Sequence, residues 1–182
     1  MKKHEPFKIP IWEFDQLGID NDLLTTYCLE FEAENPSVTK SNQGGYQSPN
    51  LLLSNMEICT LVTDIEWKLR EIQETPLVVS NIWFNINRYK DTNLPHVHPM
   101  SHYSGVYYVK TSKDCGNINL EHPALDLLYH YPNGGKGALF IGEAKEKRLY
   151  IFPSWLKHYV SPNLNKDLER ISISFNTTNG GG

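Results

Sequence analysis

From Leu77 to Asn176 the chain is a succession of short runs rich in β-branched and aromatic residues: "LVVSNIWFNINRY", "SGVYYVK", "NINLEH", "GALFIG", "RLYIFPS" and "RISISFN". Turn residues separate them, and nothing between them carries the apolar period of a helix that could cross between parallel strands. Strands so spaced pair antiparallel, which predicts a sandwich or barrel rather than βαβ units.

The first part of the chain reads differently. In "DNDLLTTYCLEFEAENP", Leu23, Leu24, Tyr27, Cys28 and Phe31 recur at helical spacing, with Asp20 or Asn21 as cap and Pro36 as terminator. In "SNMEICTLVTDIEWKLREIQETP", Ser54 and Glu57 have capping-box spacing, and Ile58, Leu61, Val62, Ile65, Leu69 and Ile72 form one apolar stripe. The Gly-rich "SNQGGYQSPN" between them reads as a loop. The expected organisation is one α+β, mainly β, domain over 1–182. It has a helical part at 1–76, a β core at 77–176 and a flexible tail at 177–182, where the closing glycines have nothing to pack.

A net charge of −4 offers no general attraction to nucleic acid or anionic membrane, and no basic patch stands out. No apolar window has transmembrane length, and the N-terminus lacks the apolar core of a signal peptide. Cys28, Cys59 and Cys115 are odd in number and lack CxxC spacing, so neither a disulfide framework nor a thiolate zinc site is expected. The expected location is cytoplasmic. Exposed edge strands would be compatible with a homodimer.

Three of the seven histidines fall in "PHVHPMSH", just before a strand. In extended backbone His96 and His98 share a face, and Pro95 and Pro99 hold the neighbouring chain extended. A metal could take both. His158, after the strand "RLYIFPS", is the candidate third ligand, while the direction of His102 is not set by its spacing and substrate contact is its expected use. Neutral imidazoles suit iron, zinc, copper or nickel better than magnesium or calcium. His4, His122 and His130 read as surface or hydrogen-bonded residues.

In "ERISISFN" the alternation puts Arg170, Ser172 and Ser174 on one face and Ile171, Ile173 and Phe175 on the other. A polar face turned to water would explain the serines. An arginine with a serine two residues on can also clamp a carboxylate, which points to an acidic co-substrate between metal and guanidinium.

Taken in order, "PHVHPMSHYSGVYYVK", "FPSWLKHYV" and "ERISISFN", with "GGYQSPNL" and "IPIWEF" before them, resemble the iron(II)- and 2-oxoglutarate-dependent oxygenases. The likeness is to a small group of bacteria and bacteriophages in particular. The resemblance implies a double-stranded β-helix, or jelly roll, with the N-terminal helices packed on one sheet. It implies Fe(II) and 2-oxoglutarate as cofactors, O2 as co-substrate, and hydroxylation of a small-molecule or peptide substrate as 2-oxoglutarate is decarboxylated to succinate. It places the metal ligands at His96, His98 and His158, with His98 where the family carries a carboxylate. Arg170 and Ser172 fall on the residues that hold the far carboxylate of 2-oxoglutarate. Tyr108, or else Tyr107, is the candidate for a further hydroxyl, and Asn85 and Asn87 are candidates to line the pocket. Trp83, Tyr103, Tyr108 and Trp155 are candidate shielding aromatics, although Phe152 and Trp155 read rather as core. A cupin-like three-histidine metalloenzyme and a non-catalytic jelly-roll binding protein are the alternatives. The cupin reading is weakened by Trp155 at its usual glycine and by the missing glutamate after HxH.

Overall fold

A computed structural model of the chain describes residues 1–2, 8–130 and 137–180. In chain order the elements are β1 (Trp12–Phe14), α1 (Asn21–Glu34), β2 (Asn42–Gln43), β3 (Tyr46–Gln47), α2 (Met56–Ile72), β4 (Leu77–Asn87) and β5 (Thr92–His96). They continue with β6 (Tyr103–Lys110), β7 (Ile118–Glu121), α3 (Leu125–His130), β8 (Leu139–Gly142), β9 (Leu149–Pro153), β10 (His158–Val160) and β11 (Arg170–Asn179). The strands form two antiparallel sheets, a larger one ordered β1-β9-β6-β11-β4-β3 and a smaller one ordered β2-β5-β10-β7-β8. The antiparallel pairing is what the strand pattern predicts, and two such sheets face to face make the jelly roll that the resemblance implies.

Both long helices cover the outer face of the larger sheet. α1 starts where the Asp20 carboxylate accepts the backbone N–H groups of Asp22 and Leu23, at 3.1 Å each. It stops before Pro36, which holds Asn35 in extended backbone. α2 is capped by Asn55, whose side chain accepts from Ile58 N–H at 3.0 Å. The Ser54/Glu57 capping box therefore does not form, because the helix begins one residue later with Asn55, not Ser54, at its cap. Ile58, Leu61, Val62, Ile65 and Leu69 of α2 are buried. At about 1.5–3 kcal/mol per buried aliphatic side chain, this stripe outweighs intrinsic propensity in holding the helix. Leu23 on α1 instead faces solvent, half exposed, while Leu24 and Cys28 take the core side.

The alternation of β4 and β11 sorts their side chains. Ile82, Phe84 and Ile86 of β4 and Ile171, Ile173 and Phe175 of β11 join the helices in the main core. Between the sheets, a second apolar cluster of Val106, Tyr108, Ile118, Leu120, Tyr150, Phe152 and Leu156 fills one end of the sandwich. Val106, Tyr108, Ile118 and Phe152 of this cluster also line the open cavity that holds the site.

Three expectations are corrected. The segment "SNQGGYQSPN" is not simply a loop: β2 pairs with β5 in the smaller sheet and β3 pairs with β4 in the larger one. The chain turns between them at Gly44 and Gly45, both at positive φ, where a Cβ on Gly44 would meet the Asp91 carboxylate and one on Gly45 the Ile86 carbonyl. The region 1–76 therefore contributes strands as well as helices. The tail begins later than residue 177, because Thr177, Thr178 and Asn179 continue β11 against Val79, Val78 and Leu77. Residues 181–182, like His4, lie outside the described residues.

Candidate metal centre and co-substrate pocket

Strand pairing brings the distant histidine to the HxH pair. β10 runs antiparallel to β5 with His158 directly opposite His96, and His98 follows two residues beyond the end of β5. The ligand nitrogens of His96, His98 and His158 all lie within 4.8 Å of one another, a spacing that could hold one metal ion. No carboxylate joins the cluster among the described residues.

The second ring nitrogens decide which atoms face inward. His96 Nδ1 lies 2.7 Å from the Leu94 carbonyl and His158 Nδ1 lies 2.8 Å from that of Leu156. A carbonyl only accepts, so both rings carry the proton on Nδ1 and present an Nε2 lone pair to the centre. His98 Nε2 is 3.2 Å from His158 Nε2. With His158 as acceptor, the metal-free chain holds a proton on His98 Nε2, and a metal would displace it. Burial lowers the pKa of His96, pushes His98 down to about 4 and pushes His158 down to about 3, and His96 next to the latter two adds to the effect. All three are neutral near pH 7, the form that binds a metal.

These rings form one wall of a cavity of about 630 Å³ between the sheets, which Trp83, Asn85, Tyr108, Phe152 and Ser172 also line. Phe152 meets His158 edge to face at 4.8 Å, and Trp83 lies 5.6 Å from His98. Phe152 is thus both buried and part of the pocket. Trp155 is more than half exposed and belongs to neither core nor pocket. Tyr103 packs on Trp12 on the far side of the sheet, and His102 is exposed outside the histidine cluster. His122 accepts from Ala124 N–H and takes no part in the site.

Beyond the cavity floor sits Arg170, 1% exposed. Its Nη1 donates to the carbonyls of Cys115, Gly116 and Ser161. Its Nε and Nη2, and the Tyr108 hydroxyl, are buried with no partner among the described residues. Burial lowers the arginine pKa and raises that of Tyr108, and each group's influence opposes the shift of the other. A guanidinium buried without an anion is expensive by several kcal/mol, so the two free donors and the hydroxyl mark a place for a carboxylate. Register aligns the neighbours: Arg170 lies opposite Asn87, and Ser172 lies opposite both Asn85 and Tyr108. Asn87 is buried behind the lining, its Oδ1 also unpartnered. Tyr107 points the other way, donating its hydroxyl to Asn21 Oδ1 at 2.6 Å.

Gln47, Asn81, Asn93 and Asn176 also line the cavity, and none was singled out from sequence. Asn81 and Asn176 had a signal: each extends the alternation of a strand already read, Asn81 with Asn85 and Asn176 with Ser172 and Ser174. Gln47 had none, because its segment reads as a loop.

The fold and the pocket together define a double-stranded β-helix of the oxygenase kind. A family model described as "Putative 2OG-Fe(II) oxygenase" matches residues 81–176, more than half of the chain. The chain belongs to this family, is an oxidoreductase, and uses Fe(II) and 2-oxoglutarate. The match favours this over the cupin-like alternative. Among solved structures, a Pseudomonas putida prolyl-4-hydroxylase has a TM-score of 0.69 at 16% identity, over 95% of this chain and 94% of that one. HygX from Streptomyces hygroscopicus, with nickel and 2-oxoglutarate bound, has a TM-score of 0.66 at 10% identity, over 94% and 84%. The non-haem α-ketoglutarate-dependent epimerase SnoN from nogalamycin biosynthesis has a TM-score of 0.72 at 12% identity, over 94% and 78%. At these identities the likeness is one of fold. No curated protein sequence matches significantly. No helix among the described residues is long and apolar enough to cross a membrane.

Proposed function

We propose that His96, His98 and His158 hold the iron of this oxygenase, and that Arg170 and Tyr108, assisted by Ser172 and Asn87, receive the far carboxylate of 2-oxoglutarate. Bound together, Fe(II) and 2-oxoglutarate supply an O2-dependent oxidation in which the co-substrate becomes succinate and CO2 and the substrate gains a hydroxyl. The chain's own residues do the rest. The Leu94 and Leu156 carbonyls orient two of the imidazoles, Arg170 orients the diacid, and Trp83 and Phe152 keep bulk water from the centre. The observation that carries the reading is the buried guanidinium whose Nε and Nη2 lack any partner beside an unpartnered Tyr108 hydroxyl. Three neutral imidazoles leave both metal charges for the co-substrate dianion to balance. The unpaired Cys28, Cys59 and Cys115 favour a reducing compartment such as the cytosol.

The test is an anaerobic titration of the Fe(II)-loaded chain with 2-oxoglutarate. A visible metal-to-ligand charge-transfer band should grow to saturation and be lost in Arg170→Ala. Tyr108→Phe, which keeps the ring in the core, should weaken saturation without abolishing it. An unchanged spectrum at high co-substrate in the wild-type chain overturns the assignment.

A further inference from the structure

We propose that the substrate is a small, oxygen-rich molecule, uncharged or singly negative, held by a wall of amides on the larger sheet; this rests on the cavity being the oxygenase site. In a two-sheet sandwich the inner faces ordinarily supply the hydrophobic core. On β4 and β11 that polarity is reversed. The apolar side chains face the helices, and the side turned toward the smaller sheet carries Asn81, Asn85, Ser172, Ser174 and Asn176, with Gln47 of β3 beside them.

These amides are half used. Asn176 Oδ1 accepts from the Ser104 hydroxyl at 2.6 Å, Asn81 Oδ1 from that of Ser80 at 3.3 Å, and Asn85 Oδ1 from Asn93 Nδ2 at 3.5 Å. In each case the oxygen is engaged, and the NH2 group has no acceptor among the described residues. The Gln47 amide has no partner at either end. These donors open onto the cavity rather than into sealed protein, so a ligand that displaces water from them loses affinity unless it brings acceptors of its own: hydroxyl, ether or carbonyl oxygens. Among the described residues no aspartate or glutamate lines the cavity, and Lys40 is its one lysine or arginine. A cation would find no counter-charge there, whereas one negative group could meet Lys40. Trp83, between Asn81 and Asn85 on the same face, adds a flat apolar surface for a sugar or base ring. A cavity of about 630 Å³, shared with the co-substrate, is of small-molecule size.

The full chain loaded with Zn(II), a redox-silent stand-in for iron, and 2-oxoglutarate is soaked and titrated with four probe sets: simple glycosides and nucleosides, their monocarboxylated forms, alkyl amines, and linear alkanols. Glycosides or nucleosides and their carboxylated forms should occupy the cavity against Asn81 and Gln47. Asn81→Leu and Gln47→Leu, on separate strands, should each weaken them about tenfold, the loss expected for one unmatched amide, with 2-oxoglutarate affinity unchanged. Amines or alkanols binding equally well, no oxygen-rich probe in the cavity, or both variants retaining affinity would overturn the proposal. If the probes bind as described and 2-oxoglutarate does not, it is the co-substrate assignment that falls.

Discussion

His158 stands directly across from His96 in the β5–β10 pair, so a ladder of backbone hydrogen bonds holds two imidazoles side by side from positions far apart in the chain. Their ring centroids are 4.4 Å apart. Replacing either by alanine should weaken metal binding by more than the roughly 10- to 100-fold of a lost outer-shell partner. Calorimetric titration with Fe(II) under anaerobic conditions measures it. Retained affinity in His158→Ala would move the metal elsewhere.

In the proposed metal site, His98 takes the place that the resemblance gives to a carboxylate, so the ligand set has no negative charge of its own. His98→Asp adds one, and Fe(II) should then bind about tenfold tighter in the absence of 2-oxoglutarate. In the natural chain the two ligands depend on each other more strongly, because the dianion supplies the balancing charge, and by linkage each should raise the affinity of the other equally. The two binding constants, each measured with and without the partner ligand, decide this. Equal coupling in wild type and variant would refute it.

Arg170 carries a buried charge with no anion to meet it among the described residues. Arg170→Met keeps most of the volume and removes the charge. The metal-free variant should be as stable as the natural chain, or more stable by about 1–2 kcal/mol, while losing the rise in urea midpoint that 2-oxoglutarate gives the metal-loaded wild type. Urea unfolding with and without the co-substrate separates the two effects. A large loss of stability would show that the bonds to Cys115, Gly116 and Ser161 carry structural weight.

Asp15 binds Arg148 at 2.7 Å and 2.9 Å. Hydrogen bonding from Arg148, partly opposed by burial, holds its pKa down from 3.8 to about 2. A depressed folded-state pKa means that the unfolded chain binds the proton first as pH falls. The contribution is therefore complete above about pH 4 and drains away between there and about pH 2. The urea midpoint of the wild type should exceed that of Asp15→Asn at pH 6, and the gap should narrow below pH 4. A gap that widens with acid would contradict the ion pair.

Local pattern was sufficient for much of this protein. The period-2 runs after Leu77, the stripe of α2 and the proline-bracketed HxH depend only on neighbouring residues, so antiparallel β architecture and a two-imidazole pair were readable without coordinates. The same alternation in "ERISISFN" put Arg170 and Ser172 on one face and the isoleucines on the other. Pairing across the chain was not readable. Which strand lies beside which is settled by long-range packing, and only that set His158 against His96, buried Arg170 with two donors unpartnered, and turned the glycine-rich segment into strands that carry Gln47 to the cavity. It also decided that the polar face of β4 and β11 looks into a pocket and not into water, a choice that alternation leaves open because both faces of a strand satisfy the backbone equally.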